Sequence, residues 1–273
     1  MRITTLYDSG TAKIEEDGII VRPPFVGVAD GVSGVYHPGD GPMEFEDRSG
    51  GQMAVDCFIQ TFFQESVKTN LEQVISQANK KVKECNDHKG IGMQESDRLA
   101  GAVFAAAKIR QKEVDIIQVG DCSALWVHND GKIGITKNQV FPYEIERLEK
   151  IKELMKKHKG NRSKMWEEFT PFLRQSRREH VNVNYGVLNG QPKLFHCYTK
   201  LTISKPSLLI LGTDGLIPYL DNDNNDDFAL NTVVAYRHKG LKAILEYVRN
   251  EEEKKKHESH VDYAEATGIA VEF

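Results

Sequence analysis

Short runs of apolar residues predict β-strands near both ends of the chain and in its middle. Residues 18–30 have the pattern of two strands interrupted by Pro23-Pro24, and the second reads Phe25-Val26-Gly27-Val28-Ala29. The other predicted strands are residues 102–109, 115–119, 124–127, 132–136, 193–203, 208–211 and 268–273. Asn129-Asp130-Gly131 is typical of a tight hairpin turn inside the central block.

A helical spacing of apolar residues separates these groups of strands. Ala54, Phe58 and Phe62 recur every four residues. A second helical stripe consists of Leu71, Val74, Ile75, Ala78 and Val82. More polar helices are predicted at 143–157, 163–179 and 240–249. This order of elements favours an α+β fold in which helices cover antiparallel sheets.

The composition is that of an ordinary globular domain. With 273 residues, 40% of them hydrophobic, the chain can form one domain with one substantial core. The net charge of −4 does not favour nucleic-acid binding. There is no run of the roughly 20 apolar residues that a spanning helix needs, and Met1–Thr5 lack an apolar signal region. We therefore expect a cytoplasmic protein with no membrane or nucleic-acid partner.

Cysteine spacing makes a disulfide framework or a zinc site improbable. The four cysteines are scattered and have no CxxC spacing, so we expect free thiols. The acidic run Asp221–Asp227 resembles calcium ligands but lacks the glycine and the final glutamate of a calcium loop. We interpret it as a solvated loop, and we interpret His37 and His260 as loop residues too.

Acidic residues at the ends of apolar strands are the main chemical signal. One predicted strand ends in Asp30-Gly31, another is followed by Thr213-Asp214-Gly215, and Glu16-Asp17 precede a third. A single Asp-Gly at a strand end is usually a turn. Several buried carboxylates together are costly without a cation, which favours a metal site. Oxygen ligands alone favour Mg²⁺ or Mn²⁺ over zinc.

Four segments, in this order, resemble motifs of the metal-dependent serine/threonine protein phosphatases (PPM, or type 2C). They are Val28-Ala29-Asp30-Gly31-Val32-Ser33-Gly34, Val119-Gly120-Asp121-Cys122-Ser123, Leu211-Gly212-Thr213-Asp214-Gly215-Leu216 and Ala266-Thr267-Gly268-Ile269-Ala270-Val271. The resemblance covers most of the chain outside residues 138–190. It implies a β-sandwich of two antiparallel sheets flanked by helices, in a single domain spanning residues 1–273.

The resemblance also implies a set of metal ligands. Asp30 would bridge two metal ions and Gly31 would offer its carbonyl oxygen. Glu16 and Asp17 match the acidic pair near the first metal, and Asp214 matches the carboxylate on the second. Asp97 resembles the aspartate at a third, weaker metal, although a surface position at a helix end is an equal alternative. Asp121 lies in a Gly-Asp turn that we expect to be structural.

Several residues depart from the family pattern. Val32 stands where many eukaryotic members have histidine, whereas bacterial members often have an apolar residue there. Ser123 and Ile217-Pro218 also differ from the family pattern. Ala12 replaces the phosphate-binding arginine, which leaves Lys13 as a possible catalytic substitute. Ala264 replaces the aspartate of the last strand. We expect Asp262 or Glu265 to supply the missing metal ligand, directly or through water.

The predicted activity is hydrolysis of phosphoserine and phosphothreonine in proteins by a water that two or three Mn²⁺ or Mg²⁺ ions activate. The competing hypothesis is an inactive module that binds phosphoproteins. We expect a monomer. The insert at 138–190 would be a flap that selects substrates, or else a helical pair that covers the sandwich through Trp166, Phe169 and Phe172.

Overall fold

A computed structural model describes residues 1–36, 43–218, 225–255 and 263–273. Asp262, His37 and His260 lie outside these ranges, as does most of the acidic run Asp221–Asp227. The predictions for those residues are therefore left as they stand. Among the described residues, none of the helices combines the length and the apolar character needed to cross a membrane.

Ten strands follow one another in the described parts of the chain. In chain order they are β1 (Arg2–Asp8), β2 (Gly18–Arg22), β3 (Phe25–Val32), β4 (Gly101–Ile109), β5 (Glu113–Val119), β6 (Ser123–His128), β7 (Ile133–Ile135), β8 (Thr199–Ser204), β9 (Pro206–Gly212) and β10 (Ala266–Glu272). They form two five-stranded sheets with the orders β1-β10-β9-β6-β7 and β2-β3-β4-β5-β8. All the pairings are antiparallel.

In the described ranges, six α-helices and one 3-10 helix accompany the strands. They are α1 (Gly50–Gln64), α2 (Leu71–His88), α3 (Phe141–Lys157), α4 (Arg162–His180), the 3-10 helix (Pro192–His196), α5 (Asn225–Lys239) and α6 (Leu241–Lys255). Helices α1 and α2 pack on the β2-containing sheet, and α5 and α6 pack on the β1-containing sheet. The resulting α–β–β–α sandwich confirms the predicted fold class.

Alternation along the strands determines which face each side chain covers. On β3, Val26 and Val28 pack between the two sheets, whereas Phe25 and Ala29 join the core beneath α1. The facing strand β9 contributes Leu209 and Leu211 to the layer between the sheets. Because successive side chains of a strand point to opposite faces, one continuous apolar run fills both layers.

Three predictions of secondary structure were incomplete. The first strand, β1, and the helix α5 were not predicted at all. Residues 193–203 were predicted as one strand, but the 3-10 helix occupies Pro192–His196 and β8 begins only at Thr199. Pro192 at the start of that segment fixes its backbone φ angle and lacks an N–H, which suits the first turn of a helix.

The strand directions bring the predicted acidic residues to one end of the sandwich. β3 runs toward this end, and Asp30 lies two residues before the end of the strand. β9 ends at Gly212, beside Gly268 near the start of β10. At the opposite end, Arg2 of β1 lies across from Glu272 of β10.

Candidate active site

The two Asp-Gly turns sit where backbones approach too closely for a side chain. A Cβ on Gly31 would lie 2.7 Å from the Cα of Gly51, at the start of α1. A Cβ on Gly215 would lie 2.0 Å from the carbonyl oxygen of Glu265. Glycine after each aspartate is therefore required by packing, in addition to any use of its carbonyl oxygen.

Hydrogen bonds fasten the Glu16-Asp17 pair to both of these turns. The carbonyl oxygen of Glu16 accepts the N–H of Gly31 at 3.1 Å, and its carboxylate accepts the Ser33 hydroxyl at 2.9 Å. The carboxylate of Asp17 accepts the Thr213 hydroxyl at 2.8 Å. The acidic pair is thus positioned from both sheets of the sandwich.

Asp121 belongs to the same carboxylate cluster, although its Gly-Asp turn was expected to be structural. It lies in the turn between β5 and β6 and lines a cavity together with Asp30. Its Oδ1 atom is buried and has no hydrogen-bond partner in the described part of the chain. Burial, followed by repulsion from Asp214, raises the pKa of Asp121 to about 7. A Gly-Asp turn between strands is too common to have revealed this role in the sequence.

The carboxylates of the cluster raise one another's pKa values. Burial and then the negative charge of Asp214 raise the pKa of Asp30 well above its ordinary value. Burial raises the pKa of Asp17 to about 7, even though the hydrogen bond from the Thr213 hydroxyl opposes the shift. The pKa of Asp214 rises to about 6 because of burial and repulsion from Asp17. Such crowding of like charges is relieved by a cation.

The donor set fits a hard divalent cation that keeps much of its water. Among the described residues, no three His, Cys, Asp or Glu side chains converge into a ready-made cage for a metal. An ion here would bind the carboxylates of the cluster, the Gly31 carbonyl and water. Mg²⁺ and Mn²⁺ accept such oxygen-rich, partly hydrated shells. The buried Oδ1 of Asp121, which has no hydrogen-bond partner in the described residues, and the mutual repulsion of the carboxylates both favour binding of a cation here.

A cavity of about 350 Å³ opens onto these carboxylates. Glu16, Asp30 and Asp121 are among the residues that line it. Arg147 and Arg177, from helices α3 and α4, line it as well. The insert at 138–190 therefore contributes to the cavity, and the cavity brings positive and negative side chains together.

The two cavity arginines differ in their partners. Arg147 pairs with Glu144 and donates a hydrogen bond to the Tyr185 hydroxyl at 3.1 Å. Arg177 donates from Nη1 to the carbonyl oxygen of Ser33 at 2.5 Å. Burial lowers the pKa of Arg177, and the nearby Arg147 charge acts in the same direction.

Asp97 contacts two other arginines of the insert. Its side chain is 0% exposed and accepts hydrogen bonds from Arg174 Nε at 2.6 Å and from Arg178 Nε at 2.7 Å. Burial alone would raise the pKa of Asp97, but the hydrogen bonds from Arg178 and Arg174 outweigh burial and lower it. Its surface alternative is excluded by this burial. A third metal at Asp97 would have to displace these arginines.

Two other predicted site residues, Lys13 and Glu265, do not line the cavity. Lys13 lines a separate groove that also includes Arg48, not the cavity of the carboxylates. Glu265 accepts the N–H of Glu16 at 2.8 Å and the Tyr7 hydroxyl at 2.8 Å. It lies next to the acidic pair with both carboxylate oxygens occupied. Ala264 uses its carbonyl oxygen to accept a hydrogen bond from Arg249.

Comparison with solved structures finds the same arrangement of elements across whole chains. The serine/threonine phosphatase PstP/Ppp of Mycobacterium tuberculosis superposes with a TM-score of 0.61 at 12% identity, covering 99% of this chain and 97% of that one. The chain has the PPM phosphatase fold. A structure of the PstP catalytic domain with two manganese ions gives a TM-score of 0.56 at 12% identity, with 98% and 96% covered.

A third PPM-fold structure, PppA of Pseudomonas aeruginosa, described as a key regulatory component of T6SS, gives a TM-score of 0.58 at 13% identity and covers 100% of this chain and 97% of that one. Neither a family model nor a curated protein sequence matches the chain. The PPM fold is therefore established by structure, and the roles of individual residues depend on the geometry of the carboxylate cluster.

Proposed function

We propose that the chain is a metal-dependent phosphatase that removes phosphate from phosphoserine and phosphothreonine in proteins. The observation that carries this proposal is a cluster of buried carboxylates that repel one another and line one cavity together with two arginines in a PPM fold. Carboxylates that repel one another are suited to bind divalent cations, and a cavity that also holds positive side chains is suited to a phosphate ester.

The residues that would hold Mn²⁺ or Mg²⁺ are Glu16, Asp17, Asp30, Gly31 through its carbonyl oxygen, Asp121 and Asp214. When bound, the ions supply an acidified water and positive charge for the phosphoryl oxygens. Thr213 and Ser33 orient the carboxylates through the hydrogen bonds described above, so that few side chains must reorganise during the reaction.

The finer parts of the proposal concern the insert and the number of ions. We propose that the insert is a flap, because α3 and α4 both contribute residues to the cavity and α4 pairs with Asp97. Two ions are proposed for the carboxylate cluster. A third at Asp97 belongs to a state in which Arg174 and Arg178 have moved away. The substrate is a phosphorylated protein, and the protein acts as a monomer.

Hydrolysis of a phosphoserine or phosphothreonine peptide in Mn²⁺ tests the proposal. We expect release of inorganic phosphate that EDTA stops and added Mn²⁺ restores. Asp30→Asn should be inactive while keeping the wild-type circular dichroism spectrum. If the wild type binds the phosphopeptide but releases no phosphate in either metal, the alternative of an inactive binding module replaces this proposal.

A further inference from the structure

Of the insert arginines that line the cavity or contact Asp97, Arg177 is the one that has no carboxylate partner within the described parts of the chain. Arg174 and Arg178 pair with Asp97, and Arg147 pairs with Glu144. Arg177 stands between the two Asp97-bound arginines in sequence, yet no carboxylate of the described residues pairs with it. A guanidinium has five N–H donors, and the described residues accept one hydrogen bond from this side chain, at Ser33.

The position of Arg177 is fixed from two directions. It lies in the last turn of α4, and that helix is held to the sandwich by the buried Asp97. Its guanidinium donates a hydrogen bond to the carbonyl oxygen of Ser33, a residue that follows Asp30 by three positions. Arg177 and Asp30 line the same cavity. A partly buried cation that faces a cavity without an anionic partner is costly unless an anion arrives.

We propose that Arg177 is the residue that binds the phosphoryl oxygens of the substrate. The sequence has alanine at position 12, where a phosphate-binding arginine was expected, and Lys13 lies in a separate groove. Arg177 takes over that function from helix α4, within the cavity that Asp30 also lines. This inference deepens the proposed function and rests on it for the identity of the reaction.

The chemistry suits an arginine rather than a lysine. A phosphoryl group carries charge on three equatorial oxygens, and the side that faces the carboxylate cluster is neutralised when metal ions are bound there. The oxygen that points away from the cluster needs a donor on the insert side. The planar fork of a guanidinium can give that oxygen parallel N–H bonds while one N–H stays on Ser33. No bond is formed or broken by Arg177 itself.

The test compares Arg177→Ala and Arg177→Lys with Arg162→Ala, which removes one exposed positive charge from the other end of the same helix. Two measurements are made on Mn²⁺-loaded protein. Calorimetry gives the affinity for inorganic phosphate, and steady-state kinetics gives kcat and KM for an aryl phosphate. We expect Arg177→Ala to weaken phosphate binding and lower kcat/KM by about 100-fold, Arg177→Lys to show a smaller loss, and Arg162→Ala to match the wild type.

The Mn²⁺ concentration for half-maximal activity separates phosphate binding from a purely structural role. If Arg177 acts on phosphate, that concentration is unchanged in Arg177→Ala. If Arg177 only holds the Ser33 loop against the cluster, Mn²⁺ dependence shifts and phosphate affinity at saturating Mn²⁺ does not, which overturns the inference. Arg177→Lys keeps the charge and serves if the alanine variant does not fold.

Failure of the proposed function gives a different result. A wild-type protein that hydrolyses no phosphate ester, yet binds inorganic phosphate in a manner that Arg177→Ala abolishes, keeps the assignment of Arg177 and removes the enzymatic role. A wild-type protein without measurable phosphate binding overturns the assignment as well.

Discussion

At the scale of single residues, Asp30 and Asp214 are the carboxylates on which the rest of the cluster depends. Asp30 lies near the end of β3 and Asp214 follows β9, and repulsion from Asp214 raises the pKa of both Asp30 and Asp121. We expect Asp30→Asn and Asp214→Asn to lower Mn²⁺-dependent kcat/KM by at least about 100-fold. In EDTA the same variants should melt at a higher temperature than the wild type, because a source of repulsion is gone.

The control for these two variants is Asp87→Asn, which removes one negative charge from α2, a helix that does not line the cavity. It should leave both activity and melting temperature close to those of the wild type. Retention of Mn²⁺-dependent activity in Asp30→Asn would contradict a metal-binding role for the cluster.

Metal-free protein should become less stable as the pH rises from about 5 to about 8. The folded state keeps protons on Asp17 and Asp121, with pKa values of about 7, and on Asp214, with a pKa of about 6. The unfolded chain releases the same protons near pH 4. A pKa that folding raises contributes stability below the unfolded pKa, and that stability is lost as the pH passes the folded pKa.

Melting curves in EDTA across this pH range check the sign. Saturating Mn²⁺ should remove the decline, because the cation replaces the protons. Asp121→Asn should flatten the curve in EDTA. A melting temperature that rises between pH 5 and pH 8 in EDTA would show that these carboxylates are ionised without strain in the metal-free protein.

Glu265 has a positioning role that can be distinguished from direct metal ligation. Its carboxylate accepts the backbone N–H of Glu16 at 2.8 Å. Glu265→Ala should raise the Mn²⁺ concentration for half-maximal activity about 10-fold, by freeing the acidic pair. Glu265→Gln keeps an acceptor oxygen and should stay near the wild type if positioning is the role. An equal loss in both variants would instead favour Glu265 as a metal ligand.

At the scale of elements, helix α4 is held to the sandwich by ion pairs with the buried carboxylate of Asp97. Asp97 lies just before β4, is fully buried, and is compensated by Arg174 and Arg178 of α4. Replacing both arginines by alanine should lower the free energy of unfolding by about 3–5 kcal/mol, because a buried carboxylate is left unpaired. Each single variant should lose less than half of that amount, since one arginine remains.

Urea unfolding of the two single variants, the double variant and Arg162→Ala measures this coupling. Additive losses would mean that the two arginines act separately and that Asp97 regains water when either is removed. The double variant should also hydrolyse the aryl phosphate more slowly, because Arg177 lies on the same helix.

Elements were predicted from sequence where an apolar pattern was strong. The run before Asp30 and the stripe of α2 are regular enough to locate a strand and a helix. β1 was missed because its residues alternate only between exposed and half-buried positions. α5 was missed because it follows a polar run, and Leu230 and Val234 are 50% and 58% exposed, so no clean apolar stripe marks it.

The site shows the same limit for a different reason. Asp30, Asp214 and the Glu16-Asp17 pair were found because carboxylates interrupt or precede apolar strands. Arg177 was not found, because a run such as Arg174–Arg178 resembles any solvated helix face. In the folded protein, Arg174 and Arg178 contact Asp97, whereas Arg177 lines the cavity.

At the scale of the whole molecule, the pairing of β1 with β10 brings residues near the two ends of the sequence side by side. Arg2 and Glu272 are direct partners across the sheet, at the end of the sandwich away from Asp30 and Asp214. The Asn129-Asp130-Gly131 turn lies at that same remote end, and a Cβ on Gly131 would meet no atom within 4 Å.

The chain should therefore tolerate circular permutation. A short glycine-serine linker can join residues 273 and 1, and new ends can open at Gly131 without crossing the cavity. We expect the permutant to bind Mn²⁺ and turn over substrate as the original order does, with a slower folding rate, since β6 and β7 would then pair across almost the full length of the chain. The order in which the segments are connected would thus determine the folding rate, whereas the pairing of the strands would determine the activity of the folded site.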